Sequence, residues 1–143
     1  MYKKEKTIII QGASINELWE AHTDISNWSK WQNKIEWTKV SGEINKGTKF
    51  TIKPKGNPKV NLEILTFNKP YVFTDISYLP LCKMFTTTKM REVENGVEIK
   101  LIIEMKGLLT FLWKKIIAKE ILDSHFEQNQ SMVNYINSLK NEK

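Results

Sequence analysis

Six side chains of this 143-residue chain, His125, Asn129, Thr86, Thr88, Asp75 and Ser77, have types and spacings that can support chemistry inside a fold. His125 and Asn129 stand four apart, one above the other on a helix face. A histidine there can give or take a proton near neutral pH, and a positioned acid or base is what catalysis in a pocket would need. Thr86 and Thr88 share a strand phase with Met84 and Met90, while Lys89 and Arg91 occupy the other phase and belong in solvent. Two inward hydroxyls leave room and offer hydrogen bonds to a ligand or to water. Asp75 and Ser77 share a phase with Phe73, but Val72, Ile76 and Tyr78 make the opposite phase an equal candidate for the interior.

Other chemistries are excluded. His22, His125 and the lone Cys82 have no metal-ligand spacing. There is no phosphate loop, no G-x-S-x-G elbow and no H-E-x-x-H helix, so no metal or cofactor is expected. His22 follows the first helix and reads as a surface or inter-helix residue. No basic cluster in the sequence marks Cys82 as reactive.

Lysine and arginine number 22 against 16 aspartates and glutamates, a net charge of +6. The densest group is Lys46, Lys49, Lys53, Lys55 and Lys59, of which Lys49 and Lys53 fall on the polar phase of a strand, so it reads as a solvated face. With no RNA-binding aromatic motif and no zinc-finger spacing, nucleic acid is not an expected partner. One cysteine cannot make an internal disulfide, Ile8-Ile9-Ile10 is too short for a signal-peptide core, and no apolar run reaches membrane-spanning length. A cytoplasmic location is therefore expected.

The elements that must position these residues are set by periodicity. Lys6–Gln11 is a short β-branched strand. Ser14-Ile15-Asn16-Glu17 is a capping box, and Asp24 opens a second short helix carrying Trp28 and Trp31. From Ile35 the period is two, punctuated at Gly42, Gly47, Pro54–Pro58, Asn68-Lys69-Pro70, Pro80 and the Asn95-Gly96 hairpin. After Gly107 the chain is helical to about Leu139. The order is strand, two helices, about six meandering strands and a terminal helix, all in one domain over 1–143. Local hairpins make the sheet antiparallel, and only the terminal helix is long enough to cover its apolar face. Ala118, Ile121, Leu122, Phe126, Met132, Val133, Ile136 and Leu139 project to one side of that helix, with His125 and Asn129. Leu109, Trp113, Ile116 and Ile117 project to the other, which requires a break near Lys114–Ala118 that packing must impose.

This order of cues resembles the START-like superfamily, also called SRPBCC, and its polyketide cyclase/dehydrase-type branch. The residues carrying the resemblance are Ile8–Ser14, Leu18-Trp19, Thr23-Asp24, Trp28 and Trp31, then Gly42, Gly47 and Phe50, the Gly96 hairpin, and Gly107-Leu108-Leu109. It departs where that branch often has an inward histidine and aromatic, positions that align with Thr86 and Thr88. The resemblance implies an α+β helix-grip fold: a curved antiparallel sheet of six to seven strands around a long C-terminal helix, with two short helices after strand one. It implies binding or carriage of a small apolar or amphipathic ligand between sheet and helix. Trp37, Phe50, Leu62, Phe73, Thr86, Thr88, Leu101, Trp113, Leu122, His125 and Asn129 are the candidate lining residues. Two alternatives stand beside it. One is a cyclase, aromatase or dehydratase using His125 with Thr86 or Thr88; the other is a ligand-free interaction module. The Gly107–Lys115 segment, with Lys114, Lys115 and Lys119, reads as packing over the sheet end, as a lid, or as a patch for transient contact with a membrane or partner. Nothing in the sequence fixes the oligomeric state.

Overall fold

A computed structural model describes residues 2–141. Its elements are β1 (Tyr2–Ile10), α1 (Ile15–Thr23), a 3-10 helix (Ile25–Lys30), β2 (Ile35–Val40), β3 (Lys49–Pro54), β4 (Val60–Asn68), β5 (Val72–Leu79), β6 (Cys82–Val93) and β7 (Gly96–Lys106). The helical remainder is α2 (Thr110–Trp113), a π turn (Lys114–Ala118), α3 (Lys119–Asp123) and α4 (His125–Asn141). The sheet has seven strands in the order β1-β7-β6-β5-β4-β3-β2, every pair antiparallel. The meander from β2 to β7 is built from local hairpins, and β1 returns to pair with β7. Bulges at Ile35/Trp37 and Ile64/Thr66 interrupt the register and increase the local twist. After the second bulge Phe67 lies opposite the buried Phe73.

The local signals act as the chemistry requires. The Ser14 hydroxyl accepts from the Glu17 amide while the Glu17 carboxylate accepts from the Ser14 amide, so α1 starts at the capping box. Asp24 differs from the expectation: it caps no backbone amide through its side chain and accepts from the Asn27 side chain instead. Trp28 and Trp31 are both buried.

The terminal helix breaks twice. The π turn at Lys114–Ala118 falls where the two apolar faces conflict; one extra residue in the turn rotates the helix beyond it. Ser124 makes the second break: its hydroxyl donates to the Glu120 carbonyl at 2.8 Å and its backbone leaves helical geometry. The expected single helix from Ala118 is therefore α4, 17 residues and about 25 Å long, preceded by short pieces. Its buried stripe is His125, Asn129, Met132, Val133 and Ile136. Phe126 and Leu139, expected on that stripe, are outside it, at 48% and 42% exposure: Phe126 stands about 100° round the helix from His125, and Leu139 lies in the last turn, past the final buried residue Ile136.

Candidate functional site

The apolar interior is divided into two clusters, and polar side chains sit at the division. One cluster joins Leu18, Trp19, Trp28, Phe50, Leu62 and Phe73 to Met90, Ile99, Met132, Val133 and Ile136, with further residues that include Ile10 of β1 and Ile35 of β2. The other joins Leu79, Cys82, Met84, Leu101, Ile103, Met105 and Ala118, with Trp113, Ile117, Ile121 and Leu122 packed against it. On β5, Asp75 and Ser77 separate Phe73 from Leu79; on β6, Thr88 and Thr86 separate Met90 from Met84. On α4 and α3, Asn129 and His125 separate Met132 from Leu122. Three elements thus carry polar residues between the two apolar clusters, a polar belt inside an apolar shell.

The register fixes the belt. Asp75 lies opposite Thr86 on one side and Ile64 on the other, and Thr86 lies opposite Ile103. Ile64 and Ile103 are fully buried, so all four side chains point to the interior face. The open phase of β5 is thereby decided: Phe73, Asp75 and Ser77 face inward. Thr86 keeps accessible surface although it lies on a central strand between buried neighbours.

His125 is fully hydrogen-bonded. Its Nε2 lies 3.2 Å from the Ile99 carbonyl, and its Nδ1 lies 3.1 Å from the Asn129 amide nitrogen. A carbonyl can only accept and an amide NH₂ can only donate, so the ring is the neutral Nε2–H tautomer. Desolvation holds its pKa below the usual histidine value, the Ile99 bond partly opposing and the positive charge of Lys6 adding to the depression. His22 sits on α1 with its ring 5.1 Å from Phe73 and edge-on to it. Burial lowers its pKa to about 4, with a further push from His125. It is an inter-helix residue, and its place four after Leu18 on α1 was the sequence signal for its inward side. Asp75 is 7% exposed, has no hydrogen-bond or ion-pair partner among the described residues, and burial raises its pKa to about 7.

The expected lining residues divide into groups. Thr86, Thr88, His125 and Asn129 form the belt. Phe50, Leu62 and Phe73 belong to the first apolar cluster, where Trp28 meets Phe50 edge-on at 5.5 Å; Leu101 belongs to the second. Leu122 and Trp113 flank the second cluster, and the Trp113 indole donates to the Pro80 carbonyl at 2.9 Å. Trp37 is not brought to the interior. It pairs with Lys53 on the outer face and is 41% exposed, because the bulge between Ile35 and Trp37 sets its phase opposite to that of the buried Ile35.

Two surface grooves lie elsewhere. One of about 790 Å³ runs between α1 and the end of α4, over Trp19, Phe67, Tyr135 and Ile136. The other, of about 490 Å³, is lined by Lys34, Lys115, Ile116, Lys119, Glu120, Asp123, Ser124 and Glu127. None of the eleven expected lining residues borders either groove. At the sheet end, Leu108, Leu81 and Phe111 are 80%, 64% and 62% exposed. The Leu109 amide donates to the Leu81 carbonyl, fastening this tip together. No group of histidine, cysteine and carboxylate side chains among the described residues could hold a metal.

No family model matches the chain, and no curated protein matches it in sequence. Solved structures do. Ara h 8.0201 superposes with a TM-score of 0.77 at 14% identity, over 96% of this chain and 98% of that one. A START superfamily protein from Mycobacterium smegmatis gives 0.72 at 10% identity, over 96% and 98%. The di-domain ARO/CYC StfQ of the steffimycin biosynthetic pathway gives 0.74 at 8% identity, over 99% of this chain and 52% of its own. The chain has the helix-grip fold of these structures.

Proposed function

We propose that this protein binds or carries a small apolar or amphipathic molecule between the sheet and α4. The carrying observation is the belt itself: hydroxyls and a carboxyl set between two apolar clusters, with Thr86 still accessible at the centre of the sheet. Such a site buries a hydrophobic body and orients it by a few polar atoms. The solved relatives, an Ara h 8 protein and a START superfamily protein among them, support the class of fold from which this reading comes. An acid–base enzyme reading built on His125 fits less well, since both ring nitrogens are already engaged. The buried free thiol of Cys82 suits a reducing, cytoplasmic compartment.

The tip supports a second element of the reading, transient contact with an anionic membrane surface. Lys83, Lys106, Lys114 and Lys115 surround Leu81, Leu108 and Phe111 in sequence, and none forms an ion pair among the described residues. Lys83 and Lys106 even stand opposite each other in the sheet. Uncompensated cations around exposed apolar side chains complement anionic lipid.

The ligand reading is tested by denaturing natively purified protein and analysing the extract by mass spectrometry, then by melting the protein with alkyl, aromatic and isoprenoid probes. A stoichiometric apolar molecule, or a melting shift with one probe class, is the expected result. An empty extract together with no shift from any class would overturn it.

A further inference from the structure

Among the polar side chains of the belt, Asp75 stands apart in chemistry. His125 and Asn129 satisfy each other and the Ile99 carbonyl, so their burial is explained by bonds inside the protein. Asp75 is more than nine-tenths buried, and no cation, amide or hydroxyl donates to it among the described residues. A buried carboxyl without a partner costs stability and contributes nothing to packing that a leucine would not do better. Neither of its oxygens is among the fully enclosed unpartnered atoms of the described residues, Trp31 Nε1 and Gln128 Oε1. The carboxyl therefore faces space that a small polar group can reach. Thr86 lies directly across from it, and Ser77 is the next inward residue on its own strand.

We infer that Asp75 anchors a cationic nitrogen: the molecule held in the grip is an apolar body bearing one protonated amine. This rests on the ligand-binding reading above and names the chemical class of its ligand. A primary ammonium brings three donors and no acceptor. The belt offers the complement at this point, a carboxylate with the Thr86 and Ser77 hydroxyls as acceptors. The ammonium supplies the counter-charge that the interior lacks, and a charge-assisted bond shielded from water is strong and short. An alcohol would satisfy Asp75 only in part. A fatty-acid carboxylate would meet a like charge or an additional desolvation cost.

Matched ligands separate these cases. Two sets suffice: decylamine, decanol and decanoic acid, and 1-naphthylmethylamine, 1-naphthylmethanol and 1-naphthoic acid. Isothermal titration calorimetry at pH 7.5 should show the amine of at least one set binding roughly ten- to hundred-fold tighter than its alcohol and its acid. The Asp75→Asn protein should lose that preference while still binding the alcohol. The protein's net charge of +6 favours the acid, so an amine preference cannot come from long-range attraction. Equal binding within a set, or preference for the acid, overturns the amine inference and leaves the ligand reading standing. No binding by any of the six overturns the amine inference, and with an empty extract and no melting shift from any probe class it overturns the ligand reading too. The wild-type ranking decides even if Asp75→Asn fails to fold.

Discussion

Asn129 and His125 are locked together one helical turn apart: the Asn129 amide donates to the His125 carbonyl at 2.8 Å and approaches Nδ1 at 3.1 Å. The same amide group thus serves the ring and the backbone of its neighbour. With Nε2–H donating to the Ile99 carbonyl, the ring ties α4 to β7 at the level where the apolar core divides. His125 is a strut in this arrangement, neutral and fixed in one tautomer.

The strut predicts the effect of reversing one partner. Asn129→Asp replaces the donor facing Nδ1 with an acceptor, and a carboxylate there favours the imidazolium. Nitrogen-detected NMR of the imidazole should show wild-type His125 as the Nε2–H tautomer with a pKa below the ordinary value. In Asn129→Asp the pKa should rise above its wild-type value. Asn129→Ala should cost about 1–3 kcal/mol, since it leaves a buried acceptor unpaired. An unchanged titration in Asn129→Asp would show that the bond does not hold the ring.

Asp75 and His22 oppose each other in their effect on stability against pH. The folded pKa of Asp75 is raised to about 7, so between pH 4 and 7 the unfolded chain loses a proton that the native protein keeps, and stability falls as pH rises. The folded pKa of His22 is lowered to about 4, so between pH 4 and 6.5 the unfolded chain holds a proton that the native protein lacks, and stability rises with pH. His125 is depressed as well and adds to the rise. Urea titrations from pH 4 to 8 should therefore show a gentle dependence in the wild type. The stability gained by Asp75→Asn should be small near pH 4 and grow to a few kcal/mol by pH 8, with about 4 kcal/mol as the ceiling set by the shift. A gain that is constant with pH would mean that Asp75 ionises normally in the fold.

Gly107 ends β7 at φ +127°, and a Cβ added there would lie 2.4 Å from the Leu81 carbonyl oxygen. That oxygen also accepts from Leu109, so the tip cannot yield without losing a bond. Gly107→Ala should cost on the order of 2 kcal/mol in urea denaturation, through backbone strain and the lost bond. Gly42→Ala is the comparison: its φ of +79° is also positive, but nothing lies within 4 Å. The second variant should be distinctly milder.

Much of this fold is legible in the sequence because local signals agree with one another. The Ser14–Glu17 box, the Asn95-Gly96 hairpin and the alternation of Val97 to Met105 each specify one element without reference to the rest. The conflict between Trp113 and Leu122 places the π turn. The inward phase of β5 is not legible locally, since Asp75 and Ser77 compete with Ile76 and Tyr78. It becomes so through register: the tight Pro80-Leu81 turn sets Leu79 against Cys82 and hence Asp75 against Thr86. Trp37 escapes the same logic because a bulge displaces its phase, and no local residue signals that bulge. The break at Ser124 has only a weak local signal, a serine hydroxyl that takes up the Glu120 carbonyl.

The tip remains as the feature packing alone does not explain. Leu81 adopts φ +52°, a conformation costly for a branched side chain, and projects into solvent beside Leu108 and Phe111. Docked on a bilayer, the three would bury apolar surface while Lys83, Lys106, Lys114 and Lys115 met anionic headgroups. Co-sedimentation with vesicles of phosphatidylserine and phosphatidylcholine should retain the protein at low salt and release it as salt rises, because each headgroup contact is screened. Pure phosphatidylcholine should retain little. Leu108→Asp with Phe111→Asp should abolish retention without loss of thermal stability, since neither side chain is buried. Lys114→Glu with Lys115→Glu should weaken retention and flatten its salt dependence. Retention that survives both pairs would place the lipid contact on another face; equal retention on neutral and anionic vesicles would remove the lysines from the account.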